Sequence, residues 1–156
     1  MGNKKAILTI ELVPRGQWGS NLRSELPKSE WDSLRGSAYA NAGHRCEICG
    51  GKGPKWPVEC HERWEYDEQS KVQRLIGLIA LCPSCHKVKH IGRTMAVGNG
   101  DQAIAHIMRV NGWSKSVALD YIENAFEIWG RRSDENWSLD ISWLKLNNQR
   151  DDNWAD

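Results

Sequence analysis

Apolar and polar positions recur along the chain with periods that divide it into elements. Residues 6–13, Ala-Ile-Leu-Thr-Ile-Glu-Leu-Val, are rich in β-branched residues and stop at Pro14, which predicts a strand. After a loop holding Gly16, Gly19 and Pro27, Ser29 stands three residues before Asp32 in a capping-box-like spacing, and Gly43 closes the segment. A helix is predicted there, from about 30 to 42. Val58–Trp64 and Val72–Leu81 read as two further strands, and Pro83 opens a short helix. Two more helices follow, one from about 101 to 111 stopped by Asn111-Gly112 and one from about 115 to 131 capped by Ser114. In the second, Val117, Tyr121, Ala125, Ile128 and Trp129 recur at helical spacing and are expected to form a core stripe. Trp137, Leu139, Ile141 and Trp143 alternate with polar partners, a strand signature, and this strand is expected to pair with residues 6–12. An acidic, frayed tail is expected from about 147. There is no internal repeat and no low-complexity segment.

Composition narrows the class. At 156 residues, 26% of them charged and 40% apolar, the chain suits one compact soluble domain. No apolar run approaches the roughly 20 residues that a membrane span requires, so no membrane partner is expected. The net charge of +1 conceals an asymmetry, because residues 43–93 carry nine Lys or Arg against six Asp or Glu, whereas residues 133–156 carry two against six. The basic excess in the middle permits nucleic-acid binding without requiring it. Nine tryptophans, spread from Trp18 to Trp154, are expected mainly as core or interface anchors.

The middle of the chain carries the chemistry. Cys46 and Cys49 form one Cys-x-x-Cys pair and Cys82 and Cys85 a second, with 32 residues between the pairs. Zinc takes four thiolates tetrahedrally, and two such clips close a structural site of that kind. Disulfides would need an oxidising compartment, whereas the chain starts Met-Gly-Asn-Lys-Lys with no apolar signal segment, so a cytoplasmic setting is expected. The fifth cysteine, Cys60, is expected as a small buried hydrophobe on a strand. The second pair runs directly into His86 and His90, four residues apart, which a short helix places on one face where both imidazoles can hold one metal. His61, at the end of the preceding strand, could complete a three-histidine site with an open position, the mark of a catalytic metal. His86 could instead join the thiolate set, since it follows Cys85 directly. His44 and His106 have no partners in sequence and are expected in surface or core roles.

A Cys-x-x-Cys, a His at a strand end, then Leu-Cys-Pro-x-Cys-His with a further His, resembles the HNH endonucleases, the ββα-metal nucleases with an embedded zinc site. The resemblance covers Arg45 to Gly92, about a third of the chain. It implies a ββα-metal core with structural zinc over 44–93; with the element pattern of the flanks the expectation is an α+β fold in one compact domain, residues 1–43 as a strand and helix flank, 94–146 as a helical extension with a strand, and 147–156 as the acidic tail. It also implies hydrolysis of nucleic-acid phosphodiesters, with a base activating water and a divalent metal (Mg, Mn, Ni or Zn) stabilising charge. Matched to colicin-type members, His61, His86 and His90 are the metal ligands. Glu62 then stands where the family carries a second His as general base, and Gly77 where it carries an Asn. In an alternative alignment His61 is the base and Cys60 takes the ligand position. Double-stranded DNA is the expected partner, with Lys87, Lys89 and Arg93 as phosphate contacts and Arg63 and Arg74 as weaker ones; a homodimer is compatible with double-strand cleavage. A catalytically weak, zinc-stabilised nucleic-acid-binding or protein-interaction module of the same descent is the second expectation.

Overall fold

The computed structural model describes residues 5–151. Its elements run in the order α1 (Leu22–Glu25), α2 (Lys28–Asn41), β1 (Glu59–Asp67), β2 (Val72–Leu81), α3 (Pro83–Lys89), α4 (Ile91–Ala96), α5 (Gly100–Asn111), α6 (Lys115–Ser133), β3 (Ser138–Asp140) and α7 (Trp143–Asp151). The class is mixed α and β, and no helix among the described residues is long and apolar enough to cross a membrane.

β1 and β2 form an antiparallel hairpin from Glu59 opposite Leu81 to Asp67 opposite Val72. Its turn closes on Asp67, whose Oδ1 accepts the Gln69 and Ser70 N–H groups. Register slips between Arg63 and Trp64, leaving Ile76 as the extra residue of a bulge. β3 adds in parallel beside the far end of β2, Val72 opposite Ser138, so the last strand pairs with β2 and not with residues 6–12 as expected. It is also shorter than the alternation suggested, because Trp143 already begins α7. That helix occupies part of the predicted tail, and residues 152–156 lie outside the described residues.

Residues 6–13 form no strand. They bend at Ile7 and Leu8, and side chains satisfy part of their backbone in place of a neighbouring strand. Buried Asn111, at the end of α5, accepts the Ile7 and Leu8 N–H groups through Oδ1 and donates from Nδ2 to the Leu8 carbonyl. The Tyr121 hydroxyl accepts from Ile10 N–H, and the Lys89 carbonyl accepts from Glu11 N–H. This strap therefore ties α3, α5 and α6 together.

Two cores lie against the hairpin. One joins the strap, the cysteines, α3, α4, α5 and α6 through Leu8, Leu81, Val88, Ile91, Ile107 and Ala118. The other gathers Leu22, Trp31, Leu75 and Leu144 from α1, α2, β2 and α7, with Cys60 and Trp64 of β1 packed against them. Along α6 the buried positions are Ala118 and Ile122, one place on from the predicted stripe, and Val117 faces solvent. α2 starts at Lys28 behind Pro27, and Asp32 pairs with Lys28 and Arg35 instead of completing a capping box with Ser29. The capping box that does form, between Asn21 and Ser24, opens the four-residue α1.

One glycine is fixed by close approach. A Cβ at Gly53 would collide with the Trp56 carbonyl oxygen and lie 2.7 Å from the Pro83 ring, which wedges the loop after the first cysteine pair against the start of α3. Gly36, exposed within α2, has nothing near its Cβ direction. Gly53→Ala is therefore expected to destabilise by about 1–3 kcal/mol through overpacking. Gly36→Ala should stabilise by about 0.5–1 kcal/mol by removing backbone entropy from the unfolded chain. Chemical denaturation of the two variants checks the opposite signs.

Candidate metal centres

The first cysteine pair sits on a tight knuckle. Gly50, at φ +74°, sends its N–H back to the Cys46 carbonyl, while Cys46 N–H reaches the Gly51 carbonyl. Backbone N–H groups of Cys49 and Gly51 point at the Cys46 and Cys49 sulfurs, 3.5 and 3.4 Å away. The second pair is built into a helix start: Cys82 caps α3 through its Sγ, which accepts Cys85 N–H at 3.4 Å, and Pro83 occupies the first turn where its missing N–H costs nothing. Glu47 docks the knuckle on the end of β2 by exchanging hydrogen bonds with Ala80.

All four Sγ atoms lie within 4.8 Å of one another, and Cys49 and Cys82 are 3.6 Å apart. Tetrahedral zinc with Zn–S bonds of about 2.3 Å separates its sulfurs by about 3.8 Å, so the set fits a metal such as zinc. Burial raises the Cys82 and Cys85 thiols; it opposes ionisation of Cys46 too, yet the surrounding N–H groups draw that thiol down to about 7. His106 adds a partner that its isolated place in sequence concealed. Arg109 donates to its Nδ1 at 2.8 Å, which leaves Nε2–H to donate to Cys85 Sγ at 3.1 Å. Ala103, His106 and Ile107 share the buried face of α5, the spacing from which this contact could have been read.

His61, His86 and His90 form the second cluster, each offering a nitrogen within 4.8 Å of the others. Strand alternation turns Glu59 and His61 toward α3, and the helix brings His86 and His90 together with their Nε2 atoms 3.1 Å apart. Tetrahedral nitrogen ligands at about 2.0–2.1 Å from a metal stand about 3.3 Å from one another, so this pair also fits. Glu59 accepts from His86 Nδ1 at 2.6 Å, which commits the proton to Nδ1 and leaves Nε2 with its lone pair toward the cluster. Burial lowers the His86 pKa, and burial with its two imidazole neighbours takes His90 down to about 3, so both stay neutral as ligands must.

The strap supplies a carboxylate to the same place. His61 Nε2 meets Glu11 Oε2 at 2.5 Å, and Lys89 Nζ donates to Glu11 Oε1 at 3.1 Å and to Thr9 Oγ1 at 2.7 Å. Burial works against the charged form of Glu11, but the His61 and Lys89 contacts outweigh it and hold the carboxyl below its usual range. Neither Glu11 nor Glu59 was a sequence candidate. Glu59 was legible as the residue two before His61 on the same strand face, and Glu11 only through the polar alternation of Thr9 and Glu11 in a segment with strand composition.

Other expected site residues lie elsewhere. Glu62 is not brought to the histidines: it follows His61 in β1, so it faces the α1 side, where its Oε1 accepts Leu22 N–H at 2.8 Å and burial raises its pKa. Cys60 shares that face, with its thiol pushed up to about 12 by burial and by Glu62, and is absent from both clusters. Lys89 is buried and engaged by Glu11 and Thr9, so it is not a free phosphate contact. Arg74 is held by Glu65 and Asp140. Lys87 and Arg63 are exposed, as is Arg93, which lines the cleft above the histidines and has no ion pair among the described residues. His44 is exposed. Comparison with family models, with curated proteins and with solved structures finds no match for this chain.

Two outcomes are expected. Glu59→Gln, which leaves His86 in place but weakens its hold on the correct tautomer, should lower the affinity of the histidine cluster for zinc by about 10- to 100-fold, read by competition with a chromophoric chelator. Stripping metal from the four cysteines should unfold the α3 end of the hairpin, seen as loss of helical circular dichroism that returns when zinc is restored.

Proposed function

We propose that the protein is a metal-dependent endonuclease of HNH type that hydrolyses phosphodiester bonds in DNA. The convergence of His61, His86 and His90 carries this reading: the three stand on a hairpin followed directly by a helix, at the wall of a cleft, beside a separate four-cysteine set. Structural zinc sites are closed by four protein ligands, whereas a three-imidazole set keeps a position for substrate or water. A divalent ion held by these histidines would supply electrostatic stabilisation of the phosphate and of the leaving 3′ oxygen. Glu59 keeps the His86 tautomer fit for ligation. Glu11, ionised and beside His61, takes the role of proton acceptor from water that the sequence suggested for Glu62. Arg93, with no ion pair among the described residues, offers its guanidinium to a phosphate on the same cleft.

A nucleic-acid-binding module with weak or no catalysis is the second reading. Gly77 favours it, since the position where the family carries Asn stands opposite Arg63 in the hairpin with no side chain to brace the adjoining loop.

Supercoiled plasmid incubated with Mg, Mn, Ni or Zn separates the two. Cleavage that His90→Ala abolishes, that Glu11→Gln slows by about 10²- to 10⁴-fold and that Glu62→Gln leaves within a few-fold supports the nuclease. Binding without cleavage in every metal supports the module, and a Glu62→Gln variant that is folded but dead would overturn the role given to Glu11.

A further inference from the structure

The cleft that the histidine cluster lines also carries an exposed aromatic surface that the metal chemistry does not use. Trp18 is 62% exposed. Its ring stacks on that of Trp129, with centroids 6.4 Å apart and planes inclined by 11°. Both indole N–H groups donate to one acceptor, the Val13 carbonyl, at 2.8 and 2.9 Å. Phe126 meets Trp129 edge-on, and the Arg15 guanidinium lies 4.5 Å over the Trp129 ring. The Trp18 ring is thus held at its N–H and supported from below, a platform ordered before anything binds.

Charge indicates what the platform takes. The glutamates lining this cleft are Glu11, Glu59 and Glu62, and each is already engaged, by His61 with Lys89, by His86 and by Leu22 N–H respectively. Arg23 and Arg93 line the same cleft with no ion pair among the described residues. The uncommitted charge is therefore cationic, on the same cleft as a flat aromatic surface, the pairing that grips a phosphate backbone while a base stacks. Bases inside a duplex have both faces covered by their neighbours, so only an unpaired or extruded base can lie on an indole.

We infer that Trp18 is the stacking platform for an unpaired base of a nucleic-acid strand whose phosphates pass Arg93 and Arg23 toward the histidine cluster. The inference rests on the nuclease reading for which bond is cut, but not for the binding itself. It gives the substrate a form, single-stranded or locally unpaired.

The test uses full-length protein in a His90→Ala background, so that strands stay intact. Anisotropy of a labelled single strand of about twelve nucleotides is measured at fixed salt beside a blunt duplex of the same sequence. The single strand is expected to bind more tightly; Trp18→Ala should weaken it by about 5- to 150-fold, and Trp18→Phe should recover most of the loss. Equal binding by parent and Trp18→Ala, with thermal melting unchanged, overturns the proposal, as does a Trp18→Ala protein that dimerises less but binds the strand as before. If the protein with His90 intact cleaves nothing in any metal yet Trp18→Ala still loses strand binding, the nuclease reading falls and this one stands. Cleavage together with indifference to Trp18 overturns the platform and leaves the nuclease standing.

Discussion

The four-cysteine set is the constraint on which the placement of the helix histidines depends. α3 spans only Pro83–Lys89, too few residues for a helix to hold itself in water, and its first turn carries Cys82 and Cys85. Those thiolates share a centre with the knuckle at Cys46 and Cys49, so the segment between the pairs, which contains the whole β1–β2 hairpin, is closed into a loop on the helix start. Cys85 and His86 are consecutive, hence a rotation of α3 that displaced the thiolate would swing the imidazole through the same angle. A metal held by the four cysteines would thereby set the direction in which the helix histidines point.

The hairpin separates two environments across one strand. On the α3 face, Glu11 is held ionised by His61 and Lys89; on the α1 face, Glu62 and Cys60 are pushed toward their neutral forms by burial. His61 and Glu62 are neighbours in sequence, yet the pleat puts their side chains in opposite electrostatic settings. Adjacency along the chain, which makes Glu62 the obvious base in the sequence, is what removes it from the centre in a strand.

Elements with strong local signals were legible from the residues: β2, α5, the Ser114 cap of α6, the cysteine pairs, and the i,i+4 pair His86 and His90 all follow from spacing. Features that failed are those settled by partners distant in sequence. Residues 6–13 have strand composition, but Asn111 and Tyr121 occupy the hydrogen-bonding positions a neighbouring strand would need. β3 alternates like a strand longer than the three residues it forms, because α7 claims the rest. Lys89 has the local setting of a surface cation, and the carboxylate that buries it lies 78 residues upstream. The convergence of the three histidines was legible in the sequence, whereas the groups that bond to them, Glu59 and Glu11, depend on strand facing and on the course of the strap.

That strap divides the centre into a portable and a resident part. A segment cut at residues 44–93 would carry every cysteine and histidine of both clusters into a new protein, and with them the spacing by which such modules are noticed. It would leave behind Glu11, Thr9 and the aromatic wall, together with α5 and α6, which help anchor residues 6–13. The spacing of the cysteines and histidines is therefore local to residues 44–93, whereas the surroundings of the histidines are supplied by the rest of the chain.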